Sequence, residues 1–150
     1  MADPERLVTR DLDRAEAEAI LTRNHVGRLA FTFKDMVDIE PIGYVYAGGV
    51  INFRTSDGTK LDVLRRQRAV AFEVDEVEGP FSWKSVVVHG TVYPVAAEGS
   101  AHDREAFATA VESLKRAYPG ALEPEDPAGF RTVILQLHPG SISGRSASLG

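Results

Sequence analysis

The stretch from Val26 to Thr55, VGRLAFTFKDMVDIEPIGYVYAGGVINFRT, decides the fold. Its first run, Val26–Phe33, alternates apolar side chains with others, and a second run, Val37–Tyr46, begins after a charged turn. The Ala47-Gly48-Gly49 turn then leads into a third run, Val50–Thr55. Glycine-containing turns between alternating runs are typical of β-hairpins. The stretch therefore predicts three antiparallel strands that form a meander.

Three further strands and three helices are predicted around this meander. Gly90 interrupts one of the strands, and a glycine inside a strand often marks a bend or bulge where a barrel curves. Because the strands come in antiparallel runs without βαβ repeats, we expect a closed or partly closed antiparallel barrel with peripheral helices. The additional strands are expected at Ala69–Glu76, Phe81–Val95 and Arg131–His138, and the helices at Asp11–Arg23, Lys60–Gln67 and His102–Tyr118.

The composition is that of a globular protein. The chain has 150 residues, 43% of them hydrophobic and 26% charged, and this length suits one domain, residues 1–150, with residues 1–10 and 140–150 flexible. The net charge of −5, from 17 Lys+Arg and 22 Asp+Glu, argues against nucleic-acid binding. The absence of Cys excludes thiol chemistry and favours a cytoplasmic location, and no apolar run is long enough to span a membrane.

A basic segment follows the third strand. The segment Arg54–Arg68, RTSDGTKLDVLRRQR, carries a net charge of +3 inside this acidic chain. A strand ends and a helix begins within it, and the first N–H groups of a helix are suited to phosphate. Arg54 and Lys60 supply cations, while Thr55 and Thr59 supply hydroxyl groups. The pattern predicts a phosphate site, although a solvated strand end and a basic helix face would explain the same residues.

A second segment, Phe81–Gly90 with the sequence FSWKSVVVHG, contains the only Trp of the chain. Trp83 suits either packing or a platform for a ligand, and Lys84 and Ser85 would reach a ligand held by a neighbouring strand. None of the four His residues has metal-ligand spacing to another, so no metal site is predicted, and His89 is interpreted as structural.

Five segments between residues 26 and 90 occur in an order that resembles the pyridoxamine 5′-phosphate oxidase-like, flavin-binding split β-barrel superfamily. The likeness is greatest to its small members related to nitroimidazole-resistance reductases. The segments are VGRLAF, IEPIGYVYAGGVINFRT, SDGTKLDVLRR, VAFEVDE and WKSVVVHG. The resemblance implies a mainly β (α+β) fold, a six-stranded antiparallel split β-barrel with peripheral helices, and a homodimer with FMN at its interface.

The resemblance also implies which residues bind the cofactor. Arg54-Thr55 and Thr59-Lys60 match the family's phosphate-binding positions, Arg28-Leu29 belongs to the strand beneath the flavin, and Trp83-Lys84-Ser85 matches a strand that approaches the ribityl phosphate or ring edge. No catalytic side chain is implied. The chain has no Trp after Trp83, and Arg145 is the one late Arg available to reach the flavin of a partner subunit.

The implied function is an FMN-binding oxidoreductase that transfers hydride or electrons between a reduced donor and a small acceptor. One alternative is a deazaflavin-dependent reductase of the same fold. Another is a flavin or haem carrier or sensor without enzymatic activity, for which His25, His89 or His138 would have to be the axial ligand of a haem. Pyridoxamine phosphate oxidation itself is not expected, because the substrate-gripping C-terminal segment of those enzymes is absent.

Overall fold

The protein is described by a computed structural model covering residues 3–56 and 58–150. Seven strands and three helices lie in these ranges. The strands are β1 (Leu7–Leu12), β2 (Val26–Phe33), β3 (Met36–Ala47), β4 (Val50–Thr55), β5 (Ala69–Gly79), β6 (Ser82–Pro94) and β7 (Val133–Leu149). The helices are α1 (Arg14–Arg23), α2 (Thr59–Arg66) and α3 (Ala101–Ala117). Among the described residues, no helix combines the length and apolar composition needed to cross a membrane.

Six of the strands close into an antiparallel ring. The order around the sheet is β7-β4-β3-β2-β5-β6, and β6 pairs again with β7. The seventh strand, β1, lies outside the ring and pairs with the end of β7, Leu7 opposite Leu149 and Leu12 opposite Gly144. The predicted six-stranded barrel is therefore confirmed, with one further strand added to it.

The bend predicted at Gly90 is where β6 and β7 shift register. His89 pairs with Ser141, whereas Gly90 pairs with Pro139. A Cβ atom at position 90 would collide with the carbonyl oxygen of His138, so only glycine lets the two backbones approach this closely. Strand β7 pairs with β4 over its first residues and with β1 over its last, while β6 pairs with it along most of its length.

The barrel interior is the main core. Its largest fully buried side chains include Tyr44, Phe53 and Phe72, and α1 and α2 contribute Ile20 and Leu61 to the same cluster. A smaller cluster lies on the outer surface of β3, β4 and β7, where α3 packs. Helix α3 begins with a capping box formed by Ser100 and Asp103, and α1 begins at the N-cap Asp13.

The two ends of the chain differ from the sequence prediction. The strand predicted to end at His138 continues to Leu149, in the range 140–150 where flexibility was expected, and Leu7–Leu12 was not predicted as a strand. The Ser- and Gly-rich sequence of Gly140–Leu149 lacks a clear apolar alternation, because most of these side chains remain partly or fully exposed. Backbone pairing with β6 and β1, which a hydrophobic pattern does not reveal, makes it a strand. Met1 and Ala2, within the predicted flexible range 1–10, lie outside the described residues.

Candidate functional site

A polar cavity of about 260 Å³ lies where β4 ends and α2 begins, and it is called here the α2 cavity. The short distance along the chain between these two elements brings four predicted site residues to one place. The lining residues are Glu40, Pro41, Ile42, Arg54, Thr55, Ser56, Gly58, Thr59, Lys60, Phe130 and Arg131.

The start of α2 presents backbone donors to this cavity. Gly58 is the N-cap residue, with a φ of 154° that side chains rarely adopt. The first helical hydrogen bond runs from the N–H of Asp62 to the carbonyl of Gly58, over 3.1 Å. The N–H groups of Thr59, Lys60 and Leu61 precede it and have no acceptor within the helix. Asp57, part of the predicted basic segment, lies outside the described residues.

Two cations of the cavity are held by carboxylates. The Nζ atom of Lys60 lies 2.7 Å from Oε2 of Glu40. The guanidinium of Arg54 forms a two-atom ion pair with Asp126, and both side chains are almost fully buried. This pair, together with N–H donors from Leu122 and Ala128, holds the pKa of Asp126 well below its usual range. Arg54 is therefore tied to the loop that follows α3.

That loop also supplies a third cation to the α2 cavity. Arg131 lines the cavity, and its guanidinium lies 5.5 Å from the centroid of the exposed Phe130 ring. Among the described residues, three cationic side chains and two carboxylates therefore meet at or beside the cavity. Hydroxyl groups of Thr55 and Thr59 and the helix N–H groups add neutral donors. Such a set is suited to an anion with several oxygen atoms, such as a phosphate.

Arg28 and Ser85 lie elsewhere, on the outer face of the β2–β5–β6 sheet. Nη1 of Arg28 is 3.4 Å from a carboxylate oxygen of Glu73 and 3.3 Å from one of Asp75. The Ser85 hydroxyl donates to Glu73 over 2.8 Å. These four residues are called here the sheet-face cluster. Leu29, the neighbour of Arg28, is fully buried in the barrel core and does not reach this face.

Trp83 and Lys84 form a third group, at the hairpin end of β5 and β6. They line a cavity of about 280 Å³ together with Glu76 and three residues near the end of β7, among others. Glu76 accepts a hydrogen bond from Nε of Arg23 over 2.7 Å and another from Asn24. Chiefly because of the Arg23 contact, the pKa of Glu76 is lowered to about 2.

Within one chain, the nine predicted site residues thus occupy separate places. Arg54, Thr55, Thr59 and Lys60 meet at the α2 cavity, and the remaining residues divide between the sheet-face cluster, the hairpin end and the core. Arg145, the late candidate, is exposed, with Nε 3.9 Å from a carboxylate oxygen of Asp11.

Three charged residues at or beside the α2 cavity were missed by the sequence analysis. Glu40 lies on a strand predicted correctly, but nothing in its pattern pairs it with Lys60. Asp126 and Arg131 come from a Pro-rich loop and a predicted strand start, and only the fold brings them beside Arg54. The interpretation of His89 as a structural residue is wrong, since its side chain is exposed on the outer face of β6.

Comparison with known proteins supports the fold and names the family. The family model described as pyridoxamine 5′-phosphate oxidase matches residues 13–146. No curated protein matches the chain. An FAD-binding protein from Mesorhizobium loti is 25% identical, with a TM-score of 0.75, and the match covers 95% of this chain and 99% of that one.

Two other solved structures share the fold. The FAD-binding protein from Mycobacterium smegmatis is 24% identical, with a TM-score of 0.67, over 91% of this chain and 98% of its own. A candidate 5-nitroimidazole antibiotic resistance protein from Bacteroides thetaiotaomicron is 16% identical, with a TM-score of 0.69, over 99% and 96% of the two chains. With a barrel of the expected topology and a family model that spans most of its length, the chain belongs to the pyridoxamine 5′-phosphate oxidase family.

Proposed function

We propose that the protein binds FMN, with the phosphate in the α2 cavity, and acts as an oxidoreductase between a reduced donor and a small acceptor. The observation that carries the proposal is the convergence of Lys60, Arg131, two threonine hydroxyls and the start of α2 on one cavity. Family membership and the FAD-binding protein from M. loti support a flavin as the ligand.

The donor set of the cavity suits a phosphate ester. A phosphate dianion needs several donors at once, and the cavity offers ammonium, guanidinium, hydroxyl and backbone N–H groups. Lys60 and Arg54 are already oriented by Glu40 and Asp126. Their pairing reduces the entropy lost on binding, while the third cation, Arg131, offsets the charge of the incoming phosphate.

The size of the cavity suits only the phosphate end of FMN. Its volume of about 260 Å³ is below the roughly 300–1,000 Å³ of pockets that enclose a whole ligand. The flavin ring would then lie over the neighbouring sheet, where Val37 and Ile39 are 77% and 63% exposed. Exposed apolar side chains of this kind favour a second subunit that covers the ring.

We accordingly propose a homodimer in which the other predicted site residues complete the flavin site. Arg28 would contact the flavin from the sheet face, and Trp83, Lys84 and Ser85 would approach it from the partner subunit. Leu29 would act only indirectly, because its buried side chain supports the backbone of β2.

The flavin supplies the redox chemistry when it is bound, and the protein provides binding and orientation. The residues of the α2 cavity fix the phosphate end, which sets how far the ring extends along the sheet. A water-excluding cover over the ring would come from apolar residues of β2 and β3 and the second subunit. No side chain is required to carry a proton for hydride transfer.

A titration with FMN and riboflavin tests this proposal. Lys60→Met removes a cation from the α2 cavity, and we expect FMN to bind about 30- to 150-fold more weakly, since a charge-assisted contact contributes about 2–3 kcal/mol. Riboflavin, which lacks the phosphate, should bind both forms equally. Lys115→Met, on the exposed surface of α3, is the matched control and should change neither affinity.

Other results would reassign the function. Equal FMN binding by wild type and Lys60→Met would contradict the phosphate site. Retention of a deazaflavin but not FMN would indicate the deazaflavin-dependent reductase, and a Soret band in the purified protein would indicate haem. FMN that binds but is not reduced by any nicotinamide donor would indicate a carrier or sensor.

A further inference from the structure

A second cleft, larger than the α2 cavity, lies on the outer surface of the barrel beneath the start of α3. Its volume is about 460 Å³, and it is called here the amide cleft. It adjoins Val50 and Asn52 near the beginning of β4, whereas the α2 cavity adjoins Arg54 and Thr55 at the end of that strand. The lining residues are Ala47, Gly48, Val50, Asn52, His102, Glu105, Ala106, Thr109, Gln136 and His138.

The floor of the amide cleft contains two buried amide side chains. Asn52 is 2% exposed and Gln136 is 8% exposed. They are directly paired across β4 and β7, in a row that Val45 of β3 and Tyr93 of β6 extend to either side. The neighbouring cluster beneath α3 is apolar. Burying amides in such a surface is unfavourable unless their polar atoms find partners.

A chain of hydrogen bonds fixes the orientation of both amides. The carbonyl of Val45 can only accept, so Asn52 donates to it through Nδ2, over 3.3 Å. The Oδ1 atom of Asn52 then accepts from Nε2 of Gln136, over 3.0 Å. This leaves Oε1 of Gln136, for which no hydrogen bond is present among the described residues. Since no fully buried side-chain polar atom is unpaired there, this oxygen keeps some exposure, and the amide cleft is a cavity that Gln136 lines.

The rim of the amide cleft contributes two imidazole rings and a carboxylate that can accept a hydrogen bond. His102 and Glu105 project from the first turns of α3, and His138 lies opposite them on β7. The His138 ring packs edge-on against Tyr93, with centroids 5.3 Å apart. The guanidinium of Arg68 in turn lies over the Tyr93 ring, 5.5 Å from its centroid. The imidazole is therefore braced by its neighbours, while Ala47, Val50 and Ala106 give the cleft aliphatic walls.

From this arrangement we infer that the amide cleft binds a small planar heterocycle bearing an N–H donor, of the kind found in an aminopurine. The Gln136 oxygen accepts the donor at the floor, and the Glu105 carboxylate accepts a second one at the rim. The aliphatic walls and the His138 ring enclose the flat faces of the ligand. The inference does not depend on flavin binding, because none of the lining residues belongs to the α2 cavity.

NMR of the side-chain amides tests the inference directly. The chain contains only two Asn and two Gln residues, Asn24, Asn52, Gln67 and Gln136, so four NH₂ pairs report on four known places. On titration with adenine we expect the signals of Asn52 and Gln136 to shift with a Kd of about 1 mM, as is usual for a ligand of this size. The signals of Asn24 and Gln67 should remain in place.

Two comparisons test whether adenine binds in the amide cleft and whether the N–H groups of its exocyclic amine contribute to the affinity. Ala106→Leu fills the cleft without touching the amides, and should weaken adenine binding at least about tenfold, whereas Ala108→Leu, exposed on the same helix and outside the cleft, should not. Dimethyladenine, whose exocyclic amine has lost its hydrogens, should bind about tenfold more weakly than adenine. Unshifted Asn52 and Gln136 signals at 5 mM adenine (about fivefold above the expected Kd), or equal binding by both helix variants, would overturn the inference.

Discussion

The α2 cavity and the sheet-face cluster both hold arginine and carboxylate side chains, but they differ in charge balance and in how the chain assembles them. The cavity combines three cations with two carboxylates, whereas the cluster sets Arg28 against Glu73 and Asp75. An anion is therefore attracted to the cavity and repelled by the cluster. Basic residues alone do not identify a phosphate site, because the carboxylates that the fold places beside them decide the local charge.

The largest expected effect is on the free energy of unfolding, in which substitutions of Leu29 and of its neighbour Arg28 should differ. Leu29 points into the core and Arg28 points to the sheet face, so only the first supports the barrel. Leu29→Ala should lower the free energy of unfolding by about 3 kcal/mol, measured by urea denaturation. Arg28→Ala should lower it by less than about 1 kcal/mol, because its ion pairs are partly exposed. Equal losses in the two variants would contradict this assignment.

A second effect concerns the ion pair that ties Arg54 to Asp126. Arg54→Met leaves the Asp126 carboxylate without its cation in an almost fully buried position, so we expect the melting temperature to fall by several degrees. Adding Asp126→Asn removes the unpaired charge and should recover part of the loss; it does not recover all of it, because Leu122 and Ala128 donate to different carboxylate oxygens and the single amide oxygen can accept from only one of them. If the double variant melts below the single one, the pair is not the source of the effect.

A third effect tests the charge balance itself. Glu40→Gln removes a carboxylate from the α2 cavity, and FMN should then bind about fivefold more tightly, because a charge some 6 Å from a phosphate contributes about 1 kcal/mol at a partly exposed site. Glu112→Gln, the matched removal of an ion-paired carboxylate on the exposed surface of α3, should alter the FMN affinity by less than about twofold at physiological salt. Quenching of flavin fluorescence measures both. Weaker binding by Glu40→Gln would mean that Glu40 is needed mainly to orient Lys60.

The smallest expected effect is the pH dependence of the stability that the Arg23–Glu76 ion pair contributes. The pKa of Glu76 is lowered to about 2 from a reference value of 4.5, so the pair stabilises the fold fully above that reference and loses its contribution as the pH falls toward 2. The stability difference between wild type and Glu76→Gln should shrink between pH 5 and pH 2. With Arg23 half exposed, it should amount to about 1 kcal/mol or less. In an Arg23→Met background the pH dependence should be much weaker.

The sequence predicted most of the barrel because its strands have one buried and one exposed face. Leu29 and Phe31 are buried and alternate with more exposed neighbours, and the Gly48-Gly49 turn has the positive φ angles that a tight hairpin requires. The second half of β7 has no such pattern. Its serines and glycines are held by backbone hydrogen bonds to β6 and β1, which the side chains do not encode.

The same distinction applies to the sites. Arg54, Thr55, Thr59 and Lys60 lie within seven residues, so a strand end followed by a helix start is enough to bring them together, and the sequence by itself determined this group. Only the tertiary structure placed Asp126 and Glu40 beside these cations, and only it paired Asn52 with Gln136 beneath α3. The physical reason is distance along the chain: local geometry follows from adjacent residues, whereas partners separated by 20 to 84 positions meet only when the barrel closes.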